Sequence, residues 1–313
     1  MRVLVTGAGG FVGRYLVAGL INRGHQVFAG GIQAVNDSLE EPAKLLHFDI
    51  TDYQEMECLI KDIKPDGIIH LAAQSMVKRS WEDAALTINV NTIGTINLII
   101  AVKNRMPTAK IINIGTSEEY GLTGKDGRLL EESHPCLPQN PYATSKLAAG
   151  QLALQLAQKE NLRIVHVRPF NHFGPGQALG YAVSDFASQI ANIEKGLKRP
   201  VLEVGDVSTQ RDFTDVRDVV VAYSMLLENN VENGIYNVCS GTPRSINGIL
   251  NFLVDNAKIP IAVEIDKERF RPSDVPLFIG SAAKTKDAVG WEPKRVFENS
   301  LLETLDWWRK QGS

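Results

Sequence analysis

Cysteine is scarce: Cys58, Cys136 and Cys239 are the only three in 313 residues, an odd number with no C-x-x-C spacing. That argues against a disulfide framework and against a zinc site; the expectation is reduced thiols in a cytoplasmic protein with no metal. Positive charge is not in excess, since 33 Lys and Arg against 36 Asp and Glu leave −3. A nucleic-acid backbone would demand a cationic surplus, so none is expected as partner. No unbroken apolar run approaches the roughly 18 residues that span a bilayer. The start, Met1-Arg2-Val3-Leu4-Val5-Thr6-Gly7, breaks at glycine too early for a signal peptide. Neither a membrane nor a leader is expected. What remains is ordinary for a folded globular chain: 44% hydrophobic and 22% charged residues, with enough length for one large domain or two modest ones.

The first half alternates short apolar strands with helical periodicity. Strands are predicted at 3–5, 27–29, 45–48, 67–71, 110–114 and 163–167, and helices at 11–23, 53–63, 83–105 and 142–159. Apolar strands separated by helices predict an α/β fold, a doubly wound parallel sheet covered on both faces. After Pro169 the loops lengthen (Gly174-Pro175-Gly176, Pro272 to Pro276), and short strands at 201–204, 235–238 and 261–265 mix with helices at 184–195, 216–228, 246–257 and 297–310. Residues 1–169 are expected to form a nucleotide-binding body and 170–313 a smaller mixed α/β substrate lobe, interwoven across a soft boundary.

Gly7, Gly10 and Gly13 stand at G-x-x-G-x-x-G spacing between the first strand and the first helix. Glycines there permit a tight turn and a close backbone approach to a pyrophosphate, and the helix start offers unpaired N–H groups to phosphate. One such match is expected by chance roughly 0.2 times in a chain of this composition, so its place between strand and helix carries the weight. Phe11 and Val12 lie inside the loop and share the expected cofactor contact. The second strand ends Ala29-Gly30-Gly31-Ile32-Gln33. Neither an acid for a ribose hydroxyl nor an arginine for a 2′-phosphate stands there, so NAD and NADP stay equally open.

Tyr142 and Lys146, at i and i+4, share one helix face. A nearby ammonium is expected to lower the phenol's pKa and let it exchange a proton with a substrate oxygen. Thr116, at the end of the fifth strand, can orient that oxygen. Glycine loop, Thr116 and Tyr142-x-x-x-Lys146 follow in an order and spacing that resembles the extended short-chain dehydrogenase/reductase family, with His70-Leu71-Ala72-Ala73-Gln74-Ser75 similar to its fourth-strand motif. The resemblance implies a Rossmann-type fold, NAD(P)-dependent oxidoreductase activity and cofactor contacts from Leu71, Ala72, Ala73 and the Asp49-Ile50 pair. Asp49 would reach the adenine; capping the helix over 52–62 is the equal alternative.

Arg168-Pro169-Phe170-Asn171-His172-Phe173-Gly174-Pro175-Gly176 and Arg211-Asp212-Phe213-Thr214-Asp215 resemble the nucleotide-sugar branch, specifically the GDP-mannose 4,6-dehydratases and GDP-4-keto-6-deoxy-mannose reductases. The resemblance implies substrate contacts from Ser75, Thr116, Ser117, Glu118, Asn171 and Arg211, and from Arg271 and Asp274 of Arg271-Pro272-Ser273-Asp274-Val275-Pro276. An ion pair with Asp212 or Asp215 is the competing role for Arg211. Glu118 would serve as an acid/base in a dehydratase, or only position substrate. Chain length and the Arg271 to Pro276 segment favour the reductase over the dehydratase. The family also implies a homodimer or tetramer through helices 83–105 and 142–159. His70 and His172 are expected to be structural.

Overall fold

Helix-linked apolar strands build one seven-stranded parallel sheet in the computed structural model, which describes residues 1–32, 43–266 and 275–311. In spatial order its strands are Lys44–His47, Gln26–Gly31, Arg2–Thr6, Gly67–His70, Lys110–Ile114, Arg163–Pro169 and Gly234–Val238. The chain winds outward from Arg2–Thr6 in one direction and then returns to wind in the other. A crevice therefore opens at the carboxyl ends of the central strands, where doubly wound sheets bind ligands.

Strand alternation sorts the core into two layers. Val3, Val5 and Ile69 pack with helices Phe11–Asn22 and Val216–Glu228. Leu4, Ile68 and Ile111 pack with Tyr53–Ile63, Gly94–Arg105 and Pro141–Glu160. Each fully buried aliphatic side chain contributes about 1.5–3 kcal/mol.

The expected bounds hold for Tyr53–Ile63, Lys110–Ile114, Val201–Val204, Val216–Glu228 and Phe297–Lys310. The single helix expected over 83–105 is found as Ala84–Arg105, capped by the Asp83 carboxylate on the Leu86 N–H at 2.9 Å, but it contains a wide turn at Asn89–Ile93. This stretch has a mean hydropathy of 1.6 and is long and apolar enough to cross a membrane, which the reading of unbroken runs missed. Half of it is buried inside the domain, as in a core helix.

The lobe is woven into the body. Val216–Glu228 packs on Phe11–Asn22, and Gly234–Val238 is the seventh strand of the main sheet, beside Arg163–Pro169. Asn171–Phe173, Gln210–Asp215, Pro243–Ser245 and Leu277–Gly280 of the lobe assemble a second sheet with Leu129–Leu130 of the body. Val201–Val204 pairs with Ala262–Ile265. A separate core of Phe173, Phe186, Phe213, Leu250 and Leu305 sits under Ala182–Glu194, Ile246–Asp255 and Phe297–Lys310.

Candidate active site

The glycine loop has the geometry its sequence predicts. Gly7 sits at φ +70°, and a Cβ there would lie 2.6 Å from the Ala72 nitrogen. A Cβ on Gly13 would lie 2.4 Å from the Ala8 carbonyl oxygen, so the helix rests directly on the turn. Helix Phe11–Asn22 begins after Gly10 with no capping side chain and no acid in its first turn. Its first N–H groups and positive dipole end are left for an anion. This bare cradle fits the pyrophosphate of a dinucleotide. Beside it the Thr6 hydroxyl meets His70 Nδ1 at 2.7 Å and accepts the Ala72 N–H at 3.2 Å, while His70 Nε2 meets Thr95 at 3.0 Å. His70 is thus a buried structural latch. Burial, with Lys146 nearby, pushes its pKa down to about 3.

Asp49 does not cap the following helix. Asp52 does, accepting the Glu55 N–H at 3.0 Å. Asp49 instead accepts the N–H and hydroxyl of Thr51, each at 2.8 Å. Ile50 puts its side chain in the core, where a Cβ on Gly94 would come within 2.8 Å of it. Only its backbone is left to face a ligand.

The helix carrying Tyr142 starts from Asn140, whose side chain accepts the Ala143 N–H at 2.8 Å, with Pro141 in its first turn. Its buried face holds Ala143, Ser145, Lys146, Ala149, Gly150, Ala153 and Ala157, small except for the lysine, so the helix lies close on the sheet. Lys146 donates from Nζ to the Ile114 carbonyl at 2.7 Å. Burial brings its pKa down to about 8, with the Glu119 carboxylate opposing. Thr116 is buried, and its side chain acts on the half-buried Tyr142 phenol from nearby. One expectation is overturned here. The phenol is not lowered by Lys146; burial holds it well above its ordinary value, against the Thr116 side chain and with Tyr181, Glu118 and Glu119 adding. A phenol shifted in that direction is suited to donating a proton.

Glu118 is exposed and receives Asn140 Nδ2 at 3.3 Å. Its charge reaches both Tyr142 and Arg211, so these three residues from distant segments converge. The ion pairs weighed for Arg211 do not form. Asp212 takes the Ser240 hydroxyl at 2.6 Å and the Gly241 N–H at 2.9 Å, and Asp215 takes Arg217 at 2.6 Å. Arg211 Nη1 donates to the Gln210 carbonyl at 2.8 Å. Asn171 begins the strand after Pro169 and is half-buried. Ser117 is buried in its turn, and Ser75 is exposed in the loop after Gly67–His70. Arg271 and Asp274 lie outside the described residues. His172 stacks flat on Phe11, ring centroids 6.3 Å apart, tying the glycine-loop helix to the lobe.

Sequence reasoning missed Asn91. From the wide turn it donates to the Ser145 hydroxyl at 2.9 Å and the Gln74 carbonyl at 3.0 Å, and accepts the Gln74 N–H at 2.8 Å. It joins the loop after the fourth strand to the Tyr142 helix. An asparagine buried in an apolar helix was the available signal, since such a group needs partners.

Residues 4–304 match the family model for GDP-mannose 4,6 dehydratase. The GDP-6-deoxy-D-mannose reductase of Pseudomonas aeruginosa is 36% identical, over 99% of this chain and 98% of its own length. The structure of RMD from Pseudomonas aeruginosa complexed with NADPH superposes with a TM-score of 0.86 at 34% identity, covering 99% of each chain. The UDP-glucose 4-epimerase of Thermus thermophilus, in complex with NAD, does so with 0.87 at 30% identity, also covering 99% of each. With its glycine cradle, its Tyr142–Thr116–Lys146 set and these likenesses over nearly its whole length, this chain belongs to the GDP-mannose 4,6-dehydratase family.

Proposed function

We propose that the protein reduces the C4 ketone of GDP-4-keto-6-deoxy-D-mannose to give GDP-D-rhamnose, using NADPH or NADH. The observation that carries this reading is the placement of Thr116 at a strand end and of Tyr142 and Lys146 on one helix, at the carboxyl edge of the sheet that also holds the glycine cradle. The Gly7 to Gly13 loop would hold the dinucleotide, which when bound would be the source of hydride for the carbonyl carbon. Tyr142 gives its proton to the carbonyl oxygen, and Thr116 holds that oxygen in line. Lys146, fixed through Ile114, holds ribose hydroxyls. Arg211 and Asn171 take the GDP side, where a guanidinium suits a diphosphate. Residues 170–313 act as the substrate lobe.

Glu118 favours a second reading, 4,6-dehydration, because an exposed carboxylate beside Tyr142 could remove a proton from C5. The two separate in one assay. With the 4-keto sugar and NADPH, the ketoreductase consumes cofactor and yields a 4-hydroxyl product of rhamnose configuration by NMR. Formation of the keto sugar from GDP-mannose without net cofactor oxidation would reject reduction as the sole activity. A non-catalytic NAD(P)H sensor would do neither.

We further infer a cytoplasmic homodimer or tetramer. Trp81, Ile88, Ile93 and Leu152 are exposed on neighbouring helices, an apolar surface suited to a second copy. The three unpaired cysteines fit a reducing compartment.

A further inference from the structure

Glu119 is 0% exposed, yet its carboxylate meets three residues. Oε1 accepts the Thr116 N–H at 3.0 Å and meets His166 Nε2 at 3.0 Å; Oε2 takes Arg168 Nε at 2.7 Å. His166 and Arg168 alternate on Arg163–Pro169, so both face the same side of the sheet, and Asn113 on the neighbouring strand bonds His166 Nδ1 at 3.0 Å. Two glycines make room. A Cβ on Gly115 would lie 2.3 Å from Glu119 Oε1, and one on Gly150, in the Tyr142 helix, 2.4 Å from His166 Nε2.

A buried ionic cluster is weak evidence of a stabilising role. Buried ionic groups are often matched or bettered by apolar ones of similar volume, and Arg168 Nη1 is buried with no hydrogen-bond partner among the described residues. What the cluster does is local. The Thr116 hydroxyl accepts the Glu118 N–H at 3.2 Å while Glu119 returns a bond to the Thr116 N–H, closing a capping box that fixes Thr116 at φ −160°, ψ 150°. The side chain held by that backbone setting is the one that acts on the Tyr142 phenol.

We propose that Glu119 is a positioning residue for the reaction: anchored by His166 and Arg168, its carboxylate holds the Thr116 backbone so that the Thr116 hydroxyl stays on the Tyr142 phenol. The claim rests on the ketoreductase reading. Removing one charge alone would strand Arg168, so the test uses pairs. Glu119→Leu with Arg168→Met removes the acceptor and the charge together, and kcat is expected to fall about 10–100-fold while KM for NADPH and the melting temperature change little. Glu119→Gln with Arg168→Met restores an acceptor for the Thr116 N–H, and kcat is expected to return to within about 3-fold of the Arg168→Met single variant. Equal kcat in the two pairs, or wild-type kcat in the leucine pair, overturns the proposal. Should the pairs not fold, Gly115→Ala crowds the same carboxylate in the otherwise native chain, and an unchanged kcat there overturns it equally. If the wild-type protein fails to turn over the keto sugar, the ketoreductase reading falls alone. The Tyr142 resonance in isotope-labelled tyrosine spectra, assigned with Tyr142→Phe, must then still shift in the leucine pair and return in the glutamine pair; no shift defeats the Glu119 claim independently.

Discussion

The first and second halves of the chain solve different problems with the same kinds of element. In the body, the reacting groups stand on rigid pieces of the main sheet and its helices: a strand end for Thr116, a helix for Tyr142 and Lys146. In the lobe, strands of three to six residues find partners far away, as Phe213 pairs with Asn171 and Arg211 with Phe278. On the proposed function, chemistry falls to the first half and substrate selection to the second.

Changes in the body should therefore alter chemistry or folding, and changes in the lobe should alter substrate affinity alone. The largest effect is expected for Tyr142→Phe: kcat at least about 100-fold lower with NADPH affinity and melting temperature preserved, read by steady-state kinetics and cofactor fluorescence. Turnover within a few-fold of wild type would remove Tyr142 as proton donor. Next comes Arg211→Met, which should raise KM for the GDP-sugar about 10–100-fold, the loss of a charge-assisted contact, and leave KM for NADPH unmoved. An equal change in both constants would erase the division between the halves.

A smaller, purely structural effect is expected at Gly13→Ala. The added Cβ meets the Ala8 backbone, not a yielding side chain, so chemical denaturation should show about 1–3 kcal/mol of lost stability. The last, smallest near neutral pH and growing in acid, concerns His70. Its folded pKa, about 3, lies below the unfolded value. In acid the unfolded chain takes up a proton that the buried ring refuses, so stability falls as pH drops below about 6.5, by at most about 1.4 kcal/mol per unit. His70→Gln should flatten the dependence of melting temperature on pH over this range, and parallel curves would show that His70 contributes nothing to it.

Legibility followed the same division. Lys110–Ile114 and Val216–Glu228 were readable to the residue because apolar runs and helical period are local signals. Asn171–Phe173, Gln210–Asp215, Pro243–Ser245 and Leu277–Gly280 were not, since each is too short to signal by itself and exists through a remote partner. In the site, Tyr142, Lys146, Thr116 and the glycines were legible from spacing and order. Asn91, Glu119 and His166 were not given roles, because a buried polar group is defined by its partners. Histidine and arginine at alternate positions of the apolar Ile164-Val165-His166-Val167-Arg168 strand were the clue available, for polar groups on a central strand must be satisfied somewhere.

The sequence by itself determined the parallel sheet, the phosphate cradle and the pairing of phenol and ammonium on one helix face, because those follow from period, glycine geometry and residue chemistry within a few positions. Only the tertiary structure decided that burial raises the Tyr142 pKa instead of the lysine lowering it, that Asp52 and not Asp49 caps its helix, that the chain returns to the main sheet at Gly234–Val238, and that a buried carboxylate stands behind Thr116. Each of these depends on desolvation or on contacts between segments far apart in the chain, quantities that neighbouring residues do not encode.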